Sequence, residues 1–298
     1  MLNKIELICF IRAMEEIIAK NYSKGIFRCP VHLAIGQEAV AVAIISQLAK
    51  EDLVFASHRA HHHYLAKGGD PFKMLAEIAG LSVGCSKGNG GSTHLIDEEF
   101  GFMGSTAIIS GVVPVAAGAA LALKQQGKKN IVVVCIGDAA IEEGVFFETL
   151  NIAKLWKLPI LFLIEDNEIS CYTDKLTRQS YSSYKNLANL FNVPFLEIDG
   201  SNLLTSESQS KEFIDSMKLD FLPRILHAKV FRAMEHCGPE DDNHLAYRTN
   251  EGKWPALDPI EKLKESFSRE VEQSQVKAKL EAEKILYQVL KLRETYEL

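Results

Sequence analysis

The stretch that decides the fold is IVVVCIGDAAIEEGVFFETLNIAKLWKLPILFLIEDN, residues 131–167. It begins and ends with continuous apolar runs rich in Val, Ile and Leu, which are typical of parallel strands buried on both faces. Between these runs, the spacing predicts a helix from about Glu142 to Lys157. A strand, a helix and a second strand in this order predict a βαβ unit with a right-handed crossover, and therefore a parallel sheet covered by helices.

The flanking segments extend this pattern in both directions. PVAAGAALALKQQ, residues 114–126, is rich in small residues and suits a helix that packs closely on a sheet. Residues 193–200 (VPFLEIDG) and 224–231 (RILHAKVF) are further strand candidates, with a helix predicted near Ser208 to Lys218. Residues 84–111 are rich in glycine with little periodic signal, and a loop of that length is more often functional than idle.

Both ends of the chain have the pattern of amphipathic helices, at about residues 3–20 and 258–298. No low-complexity linker or internal repeat divides the chain. We therefore predict a single α/β domain over residues 1–298, with a mostly parallel sheet, helices on both faces, and helical N- and C-terminal extensions.

Composition excludes several classes of protein. The 298 residues are 47% hydrophobic and 24% charged, which is average for a globular protein. The net charge of −6 argues against nucleic acid or an anionic membrane as the main partner. Six scattered cysteines without a CxxC pair indicate reduced thiols, and no apolar run reaches the roughly 20 residues that span a bilayer. We expect a soluble cytoplasmic protein.

Two polar residues follow the two strands of the βαβ unit. Ligands bind at the carboxyl ends of parallel strands, where Asp138 and Asn167 are expected to converge. Their oxygen atoms suit Mg²⁺, which usually completes its coordination with phosphate and water, so this pair favours a phosphorylated ligand. From these two residues alone, a helix cap at Asp138 and a turn residue at Asn167 are the more common roles.

The combined pattern from Gly137 to Asn167 resembles the thiamine diphosphate-binding motif, a Gly-Asp-Gly after one strand and an Asn-Asn after the next. Other segments extend the resemblance to the alpha subunits of 2-oxo acid dehydrogenase complexes of the pyruvate, branched-chain and acetoin types. In chain order, these segments are HLAIGQEAV, HRAHHHYLAKG, SKGNGGSTHL, ISGVVPVAAGAALA, LWKLP, FRAMEHCGP, AYRT and LDPI. The resemblance covers about residues 32–260 and implies the thiamine diphosphate-binding fold.

Site residues follow from this resemblance by position. It implies that Asp138, Asn167 and the main-chain carbonyl of Ile169 ligate Mg²⁺. It implies that Arg59 and Arg232 hold the diphosphate, a role that suits the bidentate guanidinium. The remaining cofactor-binding positions implied by the family motif are Ile109, Gly137, Ala139 and Ala140. His32 and His236 match catalytic histidines of the substrate channel, where an imidazole can exchange protons near neutral pH.

Three positions and one loop depart from the family pattern. The loop after Arg232 reads AMEHCGPEDD, residues 233–242, where the pyruvate type has a His-Gly-His-Ser sequence. Ala139 replaces the second glycine of Gly-Asp-Gly, and Asp166 replaces the first Asn of the pair. The Asp166 carboxylate would add negative charge near an anion, unless its side chain faces away. His58 stands where pyruvate-type members often have a tyrosine that touches the diphosphate. The consecutive His61, His62 and His63 cannot all face one ion, so we expect structural or channel-lining roles for them.

The resemblance also implies the reaction and the partners. Thiamine diphosphate with Mg²⁺ would act as the electron sink while a 2-oxo acid loses carbon dioxide, and the acyl group would pass to lipoamide on a core acyltransferase. A separate beta subunit would supply the activating glutamate, in an alpha2-beta2 assembly. Two alternatives remain: a transketolase-like or acyloin-forming half-enzyme that acts on a keto-sugar, favoured by the altered loop around His236, and a non-catalytic paralogue, favoured by Ala139 and Asp166.

Overall fold

The computed structural model describes residues 1–180, 183–245, 247 and 254–296. Its helices are α1 (Leu2–Tyr22), α2 (Glu38–Ile45), α3 (His61–Lys67), α4 (Pro71–Ile78), α5 (Val112–Gln125), α6 (Gly144–Leu155), α7 (Tyr184–Leu190), α8 (Leu203–Asp215), α9 (Met217–Asp220) and α10 (Pro259–Tyr296). Its strands are β1 (Leu53–Ala56), β2 (Phe102–Ser105), β3 (Val132–Gly137), β4 (Ile160–Asp166), β5 (Ile169–Ser170), β6 (Thr173–Asp174), β7 (Phe195–Asp199) and β8 (Arg224–Lys229).

Six strands form one parallel sheet in the order β2-β1-β3-β4-β8-β7. The unit β3-α6-β4 confirms the predicted βαβ unit, and Gly137 lies opposite Glu165 in its register. Asp138 and Asn167 therefore emerge at the same edge of the sheet, from adjacent strands. Strands β5 and β6 form a separate antiparallel hairpin directly after β4.

Helices cover both faces of the sheet, as predicted. Alternate strand residues point to opposite faces, so Val133 and Cys135 pack in one core and Val132 and Val134 in the other. The first core includes side chains of α1 to α4, α8, α9 and α10, and the second includes those of α5, α6 and α7. Because the strands are buried on both faces, they have continuous apolar sequences rather than alternating ones.

The two terminal helices pack against each other and against the body. Buried apolar residues of α1 and α10 belong to the same core. Arg12 donates two hydrogen bonds to the Asp258 carboxylate, at 3.1 and 3.0 Å, and a third to Glu38. Helix α10 is kinked at Phe267, which has non-helical dihedral angles. The predicted helical extensions are therefore confirmed, and the C-terminal helix lies on the body.

One buried carboxylate organises the glycine-rich loop. Glu77 accepts hydrogen bonds of 2.7–3.2 Å from four backbone N–H groups, those of Ser86, Gly88, Gly90 and Gly91. A Cβ added at Gly90 would lie 2.3 Å from the carbonyl oxygen of His94, so this position requires glycine for a close backbone approach within the loop itself. The loop is therefore held by hydrogen bonds from glycine N–H groups to Glu77 and by close approach of backbone segments.

The sequence analysis did not predict β1, β2 or α3. Each of these elements is short, and β1 and β2 have four residues each. Their pairing with β3 and with each other depends on partners distant in sequence, which a local pattern does not record. Among the described residues, no helix is both long enough and apolar enough to cross a membrane.

Candidate active site

A cavity of about 160 Å³ lies at the carboxyl ends of β1, β3 and β4. We call it the inner cavity. Its lining includes all of the predicted site residues except His32, namely Arg59, Ile109, Gly137, Asp138, Ala139, Ala140, Asn167, Ile169, Arg232 and His236. The parallel register brings these residues together although they span more than half of the chain.

Two buried arginines line the inner cavity, together with the carboxyl groups of Asp138 and Glu165. Arg59 is 7% exposed and Arg232 is 1% exposed. Arg59 donates to the carbonyl oxygens of Leu33 and His236, the second at 2.9 Å, so these bonds orient its charge without neutralising it. Burial, followed by repulsion from Arg232, lowers the pKa of Arg59 to about 9. Such a pair of buried cations suits an anionic ligand.

The second arginine is held by several partners. Its Nη2 donates to the Tyr247 hydroxyl at 2.7 Å, to the Asp242 carboxylate at 3.3 Å and to the Cys171 carbonyl at 3.3 Å. Arg232 is therefore fixed between the hairpin after β4 and the segment after β8. Of the AYRT motif, only Tyr247 is described; residues 246, 248 and 249 lie outside the described residues.

An ion pair that the sequence analysis missed holds Asp138. Nη2 of Arg178 donates to the Asp138 carboxylate at 2.6 Å, and the same guanidinium contacts Glu142. Gln179 donates to the Asp138 carbonyl at 3.0 Å. Burial and the nearby charge of Asp166 raise the pKa of Asp138, while Arg178 opposes that rise. No motif in the sequence points to Arg178, because this residue lies in a loop 40 positions after Asp138.

Asn167 is oriented by two hydrogen bonds. Its Oδ1 accepts from the N–H of Ile169 at 3.1 Å, and its Nδ2 donates to Oε1 of Gln37 at 3.3 Å. Gln37 also lines the inner cavity. The sequence places Gln37 in the segment HLAIGQEAV but indicates no role for its side chain. Its contact with Asn167 gives it a positioning role at this edge of the sheet.

Asp166 turns away from the inner cavity. Its carboxylate accepts from Nε2 of His227 at 2.9 Å and contacts Lys175. Although burial opposes ionisation, these two partners lower the pKa of Asp166. Asp166 lines a different cavity of about 1030 Å³, the outer cavity, at the carboxyl ends of β4, β7 and β8. Its negative charge is therefore neutralised away from the arginines.

Three histidines, His32, His58 and His236, meet beside the inner cavity, and we call them the histidine cluster. Their ring centroids are 4.7 Å apart for His32 and His58, and 5.3 Å apart for each contact with His236. Burial and the adjacent Arg59 lower the pKa of His32 to about 3 and that of His236 to about 4. The same causes, in the same order, lower the pKa of His58. All three imidazoles are neutral at pH 7.

The consecutive histidines at the start of α3 divide between two partners. His61 contacts Glu15 at 3.0 Å and Ser92 at 2.8 Å, both within the first core. His62 and His63 instead share the two carboxylate oxygens of Glu165. Burial lowers the pKa of His62 to about 4. Burial also opposes protonation of His63, but Cys135 and Glu165 raise its pKa to about 10.

These contacts fit a metal-bound diphosphate. Asp138, Asn167 and Ile169 all line the inner cavity, and their side-chain or backbone oxygen atoms are the ligand type that Mg²⁺ prefers. The buried guanidinium groups of Arg59 and Arg232 belong to the same lining. A Cβ added at Gly137 would meet no atom within 4 Å, so the backbone there is open to a ligand.

The fold and this site define an α/β protein with an anion-binding cavity at the carboxyl edge of a parallel sheet. A family model described as "Dehydrogenase E1 component" matches residues 7–292. The chain is 34% identical over 260 residues to the pyruvate dehydrogenase E1 component subunit alpha of Porphyra purpurea, covering 85% of this chain and 75% of the relative.

Acetoin:2,6-dichlorophenolindophenol oxidoreductase subunits alpha are similarly related. The protein from Cupriavidus necator is 35% identical over 226 residues, and that from Bacillus subtilis is 34% identical over the same length. Each match covers 76% of this chain and 68% of the relative. The chain belongs to the alpha-subunit family of E1 dehydrogenase components, which is generally thiamine diphosphate-dependent.

Proposed function

We propose that the chain is the alpha subunit of an enzyme that binds thiamine diphosphate and Mg²⁺, decarboxylates a 2-oxo acid and transfers the acyl group to lipoamide. One observation carries the proposal: the inner cavity gathers two buried arginines with the oxygen atoms of Asp138 and Asn167. The similarity to pyruvate dehydrogenase E1 alpha subunits supports the same reaction class.

Each side chain has a role in this proposal. Asp138, Asn167 and the carbonyl of Ile169 hold Mg²⁺, and Arg178 and Gln37 orient the first two of these ligands. Arg59 and Arg232 bind the diphosphate oxygens through charge-assisted hydrogen bonds. The cofactor-facing backbone comes from Gly137, Ala139, Ala140 and Ile109. When bound, thiamine diphosphate supplies the electron sink for decarboxylation.

The two predicted catalytic histidines are neutral rings. Because burial and Arg59 keep the pKa values of His32 and His236 low, each ring offers one N–H donor and one acceptor nitrogen for hydrogen bonds to a substrate at pH 7. Two of the three members of the histidine cluster are therefore assigned to the substrate end of the cavity. There they orient the substrate and exchange a proton with it.

The proposal includes an obligate partner. The relatives are named as alpha subunits, which favours a beta subunit beside this chain. We propose an alpha2-beta2 assembly in which the beta subunit supplies the activating glutamate, and a lipoyl acyltransferase core that receives the acyl group.

A transferase acting on a keto-sugar is the second candidate. It is favoured by the polar histidine cluster, in which His58 and His236 both line the inner cavity. Three imidazoles offer several hydrogen-bonding partners for a hydroxylated substrate, beyond what a short 2-oxo acid needs.

Release of labelled carbon dioxide tests the two candidates. The chain, co-expressed with a beta-type partner, is supplied with Mg²⁺, thiamine diphosphate and a panel of 2-oxo acids, with and without a lipoyl domain. We expect turnover that depends on the lipoyl domain. Carbon-carbon bond formation between a ketose and an aldehyde, without carbon dioxide release, would instead establish the transferase.

A further inference from the structure

The histidine cluster has more ligand atoms than the proposed reaction uses. His32 precedes α2, His58 follows β1, and His236 lies in the segment after β8, so three separate segments bring the rings together. One ligand nitrogen from each ring lies within 4.8 Å of the other two. Three separate segments therefore place three ligand nitrogens close enough to contact one ligand.

Two of the cluster nitrogens need a ligand. Nδ1 of His32 and Nδ1 of His58 are buried and have no hydrogen-bond partner within the part of the chain that the structure describes. An unpaired buried polar atom costs about 1–3 kcal/mol, so such atoms usually face a ligand or an ordered water molecule. Nδ1 of His62 and of His63 is unpaired as well, but Nε2 of each of those rings already contacts Glu165. Among the described residues, the rings of His32 and His58 have no carboxylate partner, which points to one shared ligand between them.

The chemistry of the cluster selects the ligand. Burial and Arg59 keep the three pKa values low, so the rings are neutral and retain the lone pairs that coordinate metal. Imidazole nitrogens suit zinc and its neighbours among the transition metals, whereas Mg²⁺ prefers oxygen. The cluster therefore differs in selectivity from the Asp138 and Asn167 pair.

We propose that His32, His58 and His236 bind a divalent transition-metal ion of the zinc class, with water as the fourth ligand. Three protein ligands and one exchangeable position are a common arrangement for zinc. The inference goes beyond the proposed function, because it requires neither thiamine diphosphate nor a substrate. An ion at this point would occupy the substrate end of the inner cavity and act as a reversible inhibitor.

Two features limit the affinity. Tetrahedral zinc needs nitrogen atoms about 3.3 Å apart, so rings whose nitrogen atoms lie within 4.8 Å of one another must close by up to about 1.5 Å through side-chain rotation. Arg59 and Arg232 also repel a cation. We therefore expect binding well below the affinity of a structural zinc site, and reversible by a chelator.

The other pair of buried histidines is a poorer candidate. His62 and His63 already direct Nε2 at the Glu165 carboxylate, and all three residues are buried. A metal ion there would have to break both contacts. The histidine cluster needs no such exchange, because its rings contact one another only through their faces and edges.

Cobalt spectroscopy tests the proposal on the full chain without thiamine diphosphate. Co²⁺ in a tetrahedral site gives intense visible bands that hexaaqua Co²⁺ lacks, and Zn²⁺ should displace it. We expect one ion per chain, and a loss of affinity of about tenfold or more in H58Q, as for other losses from a metal site. H94Q is the matched control, since His94 is exposed and lies outside the cluster.

Thiols provide the competing explanation. Cys171 and Cys237 are exposed and free, and Cys171 lines the inner cavity. The titration is therefore repeated in the C171S/C237S double variant, where we expect the bands to persist. Absence of tetrahedral bands in the wild type, equal affinity in H58Q, or loss of the bands in the double variant would overturn the proposal.

The proposed function is tested separately in the wild type. Mg²⁺-dependent thiamine diphosphate binding, measured by calorimetry without cobalt or zinc, reports on the arginine and oxygen side of the cavity. Circular dichroism and thermal unfolding check that H58Q is folded. Metal binding can thus fail while cofactor binding persists, and the reverse outcome is equally distinguishable.

Discussion

Two cavities flank the end of β4, and they differ in charge more than in position. The inner cavity, of about 160 Å³, has two arginines, Arg59 and Arg232, beside two acidic residues, Asp138 and Glu165, in its lining. The outer cavity is larger, about 1030 Å³, and its described charged lining is mainly acidic: Asp166, Glu168, Asp174, Glu197 and Asp199, with Lys229 as the base. Volume would favour the outer cavity, whereas the charge of a diphosphate favours the inner one.

The same contrast separates two aspartates that end adjacent strands. Asp138 lines the inner cavity, and its carboxylate pairs with Arg178, which is not part of that lining. Asp166 faces the outer cavity and is neutralised by Lys175 and His227. Neighbouring strand ends therefore direct Asp138 toward the inner cavity and Asp166 away from it. Of these two carboxylates, only that of Asp138 can contact a metal ion in the inner cavity.

The largest expected effect tests whether the inner cavity holds the metal. D138A removes one of few Mg²⁺ ligands, so we expect thiamine diphosphate affinity to fall more than about 100-fold. D199A is the matched control, because Asp199 also ends a parallel strand but lines the outer cavity. Calorimetry in the presence of Mg²⁺ measures both. Equal losses in the two variants would remove the distinction between the cavities.

The next effect concerns the positive charge. R59Q removes a charge-assisted contact worth about 1.5–3 kcal/mol, which corresponds to a weakening of roughly 10- to 100-fold. K229Q removes a cation from the outer cavity, where Lys229 pairs with Glu197, and should leave the affinity unchanged. The same calorimetric titration compares the two variants. A stronger loss of affinity in K229Q than in R59Q would place the diphosphate in the outer cavity and contradict the assignment.

A smaller effect concerns pH. The pKa of His58 is lowered by burial first and then by Arg59, His32, His236 and Arg232. The unfolded chain therefore binds more protons at this position, and stability falls as pH drops through about 6.5.

Denaturant unfolding in EDTA measures this linkage. Between about pH 7.5 and 5.5, we expect His58 to account for roughly 1.4 kcal/mol of the lost unfolding free energy, or about tenfold in the equilibrium constant. H58Q should therefore show a shallower loss than the wild type, with H94Q as control. Parallel curves for H58Q and the wild type would contradict the low pKa.

The smallest effect is expected at Asp166. D166N weakens contacts with Lys175 and His227 but changes no atom that faces the inner cavity. Affinity for thiamine diphosphate should stay within about threefold of the wild type, while unfolding free energy falls by about 1 kcal/mol. A marked gain in affinity would mean that the carboxylate does repel the diphosphate, as the sequence departure suggested.

The central part of the fold could be predicted because its signal is local. The strands IVVVCIG and LPILFLIED are continuous apolar runs, and Val132–Gly137 and Ile160–Asp166 lie within them. The helix between them begins at Gly144 rather than at about Glu142, because Asp138–Glu142 forms a 3-10 turn. The edge strands β1 and β2 could not be predicted, since four residues carry too little pattern and their pairing is non-local.

The site shows the same limit. Asp138 and Asn167 could be found because each follows a strand in one βαβ unit. Arg178 and Gln37 could not, because their contacts with those residues depend on how a hairpin and a distant loop fold back. In the sequence, His58 stands out only because it replaces a tyrosine of the family pattern. Its unpaired Nδ1 depends on the folded chain and could not be predicted.

Metal-dependent cofactor binding tests the central claim most directly. Thiamine diphosphate is titrated by calorimetry into the full chain, co-expressed with its beta-type partner, once with Mg²⁺ and once with EDTA. The inner cavity predicts saturable binding with Mg²⁺ and its loss in EDTA, because the diphosphate and the oxygen ligands share the ion. Absence of binding with Mg²⁺, or equal binding without the metal, would contradict the account.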